Sequence, residues 1–473
     1  MNKKQGIGIG IVVVCAIVTV AMFTGCIEEE TATPAVTVTP MLTPTPSPTP
    51  TPPLKTVLDK EAVEKTPWMK VVFHDPSFAF QFQRTIGYSY YDGADYEECL
   101  CTACRIKEGD CESWYEEWLK TADRVCEIAD KCLAEGHNVS AREAYHRASN
   151  YYRTAEFYLA YRDPSDPSIL ETWRKSRECF IKAAPLFSPP FEVVEIPYEG
   201  TTLPGYFFRV DDSGTPRPTL ILQTGFDGTA EELYFGGCAA AVRRGYNCLA
   251  FEGPGQGRVI REQKLHFRPD WEKVVTPVVD YALTRPEVDP DRIALMGVSL
   301  GGYLAPRAAA YEHRLAACIA NGGVFDPFEG LVYPESPEAV KEYIIQDPSA
   351  FDAEMREKAK SNTNLQWAME QGMWTFGAAS PSEWMLKFAN YTMKGRADKI
   401  TCPTLVCDGE GDFDFPGQAK KLYDTLTCPK EYMLFTVEDA AEQHCQMGAM
   451  AISHQRIFDW LDKTFAEIGS EQS

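Results

Sequence analysis

Along this chain the spacing of apolar positions changes three times, and each change predicts a different kind of element. Gly6 to Ile27 is an uncharged, mostly apolar run preceded by Lys3 and Lys4. A Thr- and Pro-rich tract follows, and from about Pro67 the sequence takes on the mixture expected of a folded domain. Phe73 to Gly87 is rich in aromatics and fits neither period cleanly. Beyond it, Trp114, Trp118, Ala122, Val125 and Ala129 recur at helical spacing. Ser140 with Glu143 reads as a capping box before Ala144, Ala148, Tyr151, Ala155 and Tyr158, and Ser168 with Glu171 repeats that signal before Trp173 and Phe180. Three helices are therefore predicted between Glu112 and Ala184.

From Phe191 the period becomes that of strands. Phe191 to Tyr198 and Leu203 to Val210 alternate around Glu199-Gly200, as an antiparallel pair does. Pro218 to Thr224, Tyr246 to Phe251, Ile293 to Met296, Leu315 to Ala320, Thr404 to Cys407 and Glu431 to Phe435 read as further strands, and the apolar run Ile293 to Met296 is the kind expected of a parallel strand buried on both faces. The prediction is an α/β fold with an eight-stranded, mostly parallel sheet, a helical N-terminal cap over residues 67–190 and a catalytic domain over 191–473. Residues 325–399 are too long for an ordinary crossover, and with Trp367, Trp374, Phe376, Trp384 and Phe388 they predict a helical lid insertion.

Charge and cysteine content narrow the setting. A formal net charge of −22 without a basic cluster argues against nucleic acid as a partner. The leading apolar run ends in Phe23-Thr24-Gly25-Cys26 and an acidic triplet, the pattern of a lipoprotein-type signal peptide or membrane anchor over residues 1–26. Residues 27–66 read as a stalk, because alternating Thr and Pro favour extended backbone and bury no core. The expectation is an exported protein anchored to the outer face of the cell membrane through its N-terminal lipid or helix. Of 16 cysteines, Cys99, Cys101, Cys104, Cys111, Cys126 and Cys132 cluster, and export favours disulfides there over a structural zinc site. Cys402 and Cys428 form a further candidate pair. His137 and His146 are expected at or just below the surface.

The candidate chemistry centres on Gly297-Val298-Ser299-Leu300-Gly301, directly after the run Ile293 to Met296 and before an Ala- and Leu-rich helix. A serine at the apex of a tight strand-to-helix turn, flanked by glycines two residues away, is the nucleophile-elbow pattern. Together with Gly225-Phe226-Asp227-Gly228-Thr229, Glu231-Glu232, the Phe251 to Gly257 turn and Pro416-Gly417-Gln418-Ala419, it resembles the α/β-hydrolase superfamily. The similarity is to a serine-hydrolase branch with a helical N-terminal cap, which includes polyketide-shortening hydrolases and the dihydroxypseudooxynicotine hydrolase. That resemblance implies cleavage of a carbon–carbon bond beside a ketone as one possible activity.

In that fold an orienting acid and then a histidine follow the serine in chain order. Asp412 and His444, each just past a predicted strand, match the Gly-Glu-x-Asp and His-Cys-Gln positions. Asp408 and Asp414 are competitors for the acid. His454 is expected on a helix face, while His266 and His313 precede the acid and break the order. The oxyanion donors are expected to be the backbone amides of Leu300 and Phe226, with Asp227 as the alternate to Phe226. Asp227 and Glu252 could instead brace the Gly-rich turns. The reading is a serine hydrolase cleaving an ester or related acyl bond of a small apolar or aromatic substrate, with no cofactor or metal required. A carbon–carbon hydrolase, an exopeptidase and a non-catalytic ligand-binding lipoprotein are the alternatives.

Overall fold

A computed structural model of the chain describes residues 72–471. The signal-peptide or anchor segment and the Thr/Pro stalk lie outside the described residues. Among those described, no helix is long and apolar enough to cross a membrane.

The cap is built first. Helix α1 (Pro76–Gly87) settles the ambiguous aromatic stretch: Asp75 accepts hydrogen bonds from the Ser77 and Phe78 amides, and Pro76 pre-sets the first turn. A short helix α2 (Tyr96–Ala103) follows, then α3 (Cys111–Ala134), α4 (Asn138–Glu156) and α5 (Pro167–Ala183). The last three correspond to the predicted helices, but two begin earlier than their expected capping boxes. α4 starts at Asn138 without a side-chain cap, so Ser140 lies inside it. α5 starts at Pro167, because Asp166 already accepts from the Ser168 amide. Trp114 and Trp118 of α3 pack on Tyr158 and Tyr151 with ring centroids 5.4 and 5.5 Å apart, and small alanines on α4 let the helices approach.

The sheet contains β1 (Glu192–Tyr198), β2 (Thr201–Phe208), β3 (Arg217–Gln223), β4 (Asn247–Phe251), β5 (Val288–Val298), β6 (Ala317–Asn321), β7 (Thr404–Gly409) and β8 (Lys430–Phe435). They form one eight-stranded sheet in the order β1-β2-β4-β3-β5-β6-β7-β8. β2 runs antiparallel to β1 and β4, and the remaining neighbours are parallel. After β3 the chain moves outward to β4 and then returns to β5 on the other side of β3. The loops after β3 and β5 therefore part at a topological switch point, where an open α/β sheet leaves a crevice.

One face of the sheet is covered by α6 (Glu272–Leu283), α7 (Gly301–Ala309) and the insertion. That insertion forms α8 (Pro327–Val332), α9 (Pro337–Gln346), α10 (Pro348–Ala359), α11 (Thr363–Phe376) and α12 (Pro381–Phe388). After β7 comes α13 (Gln418–Thr425), and the terminal helix α14 (Met450–Glu471) covers the opposite face.

Two expectations are corrected. None of the 14 described cysteines is bridged. In the cluster, Cys99 is buried and points its thiol at the Tyr151 hydroxyl, while Cys101 and Cys104 are exposed. Residues two apart on a helix face nearly opposite ways, so the close sequence spacing does not bring Cys99 and Cys101 together. Cys428 places its thiol 3.6 Å from the Thr404 hydroxyl. His146 is fully buried among Phe180, Phe187, Tyr234 and Phe235, and neither ring nitrogen has a hydrogen-bond partner. Burial, with Arg142 and Arg147 nearby, lowers its pKa to about 3, so it stays neutral and packs as an aromatic ring.

Candidate active site

Ser299 sits where β5 ends and α7 begins, with a left-handed backbone (φ 63°) that serine rarely adopts. The surrounding glycines make the turn possible. A Cβ on Gly297 would stand 2.0 Å from the Gly301 carbonyl oxygen, and one on Gly302 would stand 2.0 Å from that of Gly322. The Ser299 amide donates to Asn321 O at 2.9 Å, tying the elbow to the end of β6. Its side chain is held at the mouth of the crevice and is partly open.

His444 approaches from the loop after β8, with Nε2 2.8 Å from Ser299 Oγ and Nδ1 2.7 Å from Asp412 Oδ2. Asp412 lies after β7, and its other carboxylate oxygen accepts from the Asp414 amide at 3.0 Å. Both loops are pressed together: a Cβ on Gly409 would meet Glu442 O at 2.5 Å. Of the competing acids, Asp414 is 3.7 Å from the imidazole and Asp408 accepts instead from the Tyr432 hydroxyl at 2.6 Å. His454 lies on α14, bonded to the Tyr91 hydroxyl and Gly236 O, and His266 and His313 are exposed. The structure thus brings Ser299, His444 and Asp412 into one hydrogen-bonded line.

Charge around the imidazole is strongly biased. Burial disfavours its cation, but Asp412, Cys445 and Asp414 together outweigh that, and His444 is held well above the ordinary histidine range. Burial also pushes Asp414 up to about 6, although a third of its side chain reaches solvent. Among the described residues, Asp412, Asp414 and His444 are the grouping that could face a metal ion. Both imidazole nitrogens are instead engaged with Ser299 and Asp412.

The loop after β3 runs directly against the elbow, since a Cβ on Gly225 would lie 2.7 Å from the Leu300 amide nitrogen. Among the described residues no protein group accepts from the Leu300 or Phe226 amides. Glu252 accepts from the amides of Ala230 and Arg258 at 2.8 and 2.7 Å, which is the turn-bracing role. Above the crevice, Phe80 of α1 and Phe415 stand 6.4 and 6.2 Å from the His444 ring, and Phe413 edges onto Phe80. Trp367, Phe376 and Trp384 from the insertion surround Phe226 at 5.8 to 6.4 Å. Phe388 packs deeper, on Phe376 and Tyr391, and Trp374 lies beneath the Arg261 guanidinium.

The conserved description of the alpha/beta hydrolase family matches residues 224–449. The hydrolase LUC6 of a Fusarium species is 37% identical over 415 residues, covering 84% of this chain and 98% of the relative. The chain belongs to the α/β-hydrolase family. It is a hydrolase, and its similarity to relatives extends well into the cap, further than the sequence motifs alone indicated. The 20-hydroxy-prefusarin hydrolase of Gibberella moniliformis is 36% identical over 423 residues, covering 84% of this chain and 99% of that protein. Among solved structures, 2,6-dihydroxy-pseudo-oxynicotine hydrolase aligns with a TM-score of 0.63 and 26% identity, covering 79% of this chain and 94% of its own. AbyA5, at 17% identity and a TM-score of 0.55, shares the fold over 81% of this chain and 94% of its own.

This α/β-hydrolase also contains site neighbours that sequence reasoning missed. Arg84 on α1 and Arg153 on α4 reach out of the cap to Asp227 and Glu232. Gln371 on α11 donates to Phe226 O at 3.3 Å. No short-range pattern marks them, because Arg84 and Asp227 are 143 residues apart in the chain.

Proposed function

We propose that this α/β-hydrolase is a serine hydrolase that forms and then hydrolyses an acyl-enzyme. Ser299 is the nucleophile, His444 the base and acid, and Asp412 the group that orients His444. The observation that carries the reading is the unbroken line from Ser299 Oγ through the His444 imidazole to Asp412, starting from a serine held at φ 63°. His444 Nε2 takes the hydroxyl proton as Oγ adds to the substrate carbonyl carbon, and the amides of Leu300 and Phe226 stabilise the developing oxyanion. As the carbonyl reforms, the same proton passes to the leaving group. Water repeats the sequence in reverse to release the acid and restore Ser299.

The preferred substrate is a small apolar or aromatic ester or related acyl compound. Phe80 and Phe415 beside His444, Phe413 against Phe80, and Trp367 beside Phe226 support it, since such walls favour flat apolar groups. A second reading, hydrolysis of a carbon–carbon bond beside a ketone, is favoured by the similarity to 2,6-dihydroxy-pseudo-oxynicotine hydrolase through cap and sheet alike. The same residues would serve, with an enolate as leaving group.

Fluorophosphonate labelling of the full chain tests the nucleophile, with modification expected at Ser299. An intact Ser299 after prolonged exposure of folded protein would sink the reading. Product analysis on an aryl ester, a 1,3-diketone and an aminoacyl anilide then separates the ester, carbon–carbon and exopeptidase chemistries. From sequence alone we also propose export and anchoring through Cys26. Lipid labelling that is lost in Cys26→Ser is the expected result, and a soluble, unmodified wild type would overturn it.

A further inference from the structure

The peptide units around Phe226 are held from three separate parts of the molecule. Gln256, on the turn after β4, donates through Nε2 to Thr224 O at 2.9 Å and to Gly225 O at 3.0 Å. A trans peptide points its N–H and C=O in opposite directions, so fixing Gly225 O also fixes where the Phe226 N–H is aimed. Gln371 of the insertion holds the next carbonyl, Phe226 O. The following residue, Asp227, is held by the cap.

That last hold is ionic and buried. Arg84 Nη1 lies 2.7 Å and Arg153 Nη2 3.4 Å from Asp227 Oδ2. The same guanidiniums share Glu232, with Arg84 Nε at 3.0 Å and Arg153 Nε at 2.7 Å. Side-chain exposure is 4 to 15% across the four residues. Two cations and two anions at these distances offset one another's desolvation only while the geometry is kept. Despite burial, which would raise it, Arg84 and Arg153 hold the Asp227 carboxyl below its ordinary range. The loop has no slack to absorb a shift, because a Cβ on Gly228 would stand 1.9 Å from the Thr224 hydroxyl.

A tie that served only to dock the cap could end anywhere on the sheet half. Tyr91 makes such a contact, its hydroxyl 2.9 Å from His454 Nδ1 on α14. The Arg84 and Arg153 pair ends instead on Asp227, the residue beside Phe226, and on Glu232 at the start of the helix that follows the same loop. We propose that Arg84 and Arg153 are positioning residues: acting through Asp227, they set the Phe226 amide, so that a cap element completes the oxyanion site. The proposal rests on the serine-hydrolase reading above. It predicts that the grip matters in the transition state and hardly in substrate binding, because an oxyanion exists only after Oγ has attacked.

The test compares full-length wild type with Asp227→Asn, Arg84→Met, Arg84→Lys and, as a docking control, Tyr91→Phe. Each is assayed for aryl-ester kcat and KM and for inhibition by an aryl trifluoromethyl ketone, whose serine adduct carries the oxyanion. Asp227→Asn and Arg84→Met should lower kcat by about 10- to 100-fold, the scale for a displaced catalytic group, with KM within about two-fold. Trifluoromethyl ketone affinity should fall in parallel, Arg84→Lys should recover part of both, and Tyr91→Phe should lower only the melting temperature. Should Arg84→Met fail to fold, the near-isosteric Asp227→Asn decides alone. Folded variants with unchanged kcat, or a loss of kcat without weaker ketone binding, would overturn the proposal. Wild type that neither turns over the ester nor accepts a fluorophosphonate would instead strike the serine-hydrolase reading, and this proposal with it.

Discussion

The cores inside the cap and inside the sheet half are mainly apolar; the contacts between the two add a cluster of buried charge. α3 and α4 meet through Trp114, Trp118, Tyr151 and Tyr158 against small alanines, and the sheet is sandwiched by Val, Leu, Ile and Ala side chains. Where the halves meet, Arg84 and Arg153 face Asp227 and Glu232, and Glu156 faces Arg261 with Nε at 2.9 Å. Apolar burial is nondirectional and tolerates small displacements, whereas charged hydrogen bonds demand distance and angle. The difference teaches that apolar packing joins the halves broadly, while directional charged contacts fix their relative placement most tightly beside the crevice.

Substitutions in each region can break or sharpen this contrast. Ser299→Ala carries the largest effect: kcat should fall by about 10⁵- to 10⁶-fold with little change in melting temperature. Turnover near wild type would move the chemistry elsewhere. In the cap, Trp118→Ala removes a fully buried indole, with an expected loss of about 3–5 kcal/mol in urea unfolding. Turnover per labelled serine should stay near wild type in the molecules still folded. If both fall together under native conditions, cap and sheet are one cooperative unit and the contrast fails.

At the interface, a cycle of Glu156→Gln and Arg261→Met should show a coupling of about 1–3 kcal/mol in stability. Additive single effects would mean that the pair contributes only through its separate contacts. The smallest effect is expected from Asp414→Asn. Asp414 raises the His444 pKa, so its removal lets the neutral base persist to lower pH. The acid limb of kcat/KM should therefore move downward, by less than about one pH unit. An upward shift would contradict the charge arrangement around the imidazole.

The sheet was readable because its inner strands are buried on both faces, which leaves continuous apolar runs such as Ile293 to Met296, while the edge strand β1 alternates. The aromatic stretch that opens the cap was not. Phe78, Phe80 and Phe82 alternate as in a strand, yet they lie on α1. Phe78 and Phe82, one helical turn apart, enter the cap core, while Phe80 turns toward His444. The capping signals at Ser140 and Ser168 lie three and two residues inside the observed caps, His137 and Asp166, because α4 starts without a side-chain cap and Asp166-Pro167 provides an earlier start for α5. The cysteine cluster misled for a related reason, since helical phase and not sequence distance decides which thiols can meet.

For this protein, the sequence by itself determined the order of the elements, the elbow at Ser299 and the two residues, Asp412 and His444, that lie within hydrogen-bond reach in line with it. Those follow from local period, from glycines that a tight turn requires, and from a chain order that the fold imposes. Only the tertiary structure decided which helices overhang the crevice, that Phe80 and Trp367 flank it, and that Arg84 and Arg153 grip the loop beside Phe226. A buried ion pair has no periodic signature. Its partners are chosen by where two folded surfaces meet, and that choice is absent from any local stretch of the chain.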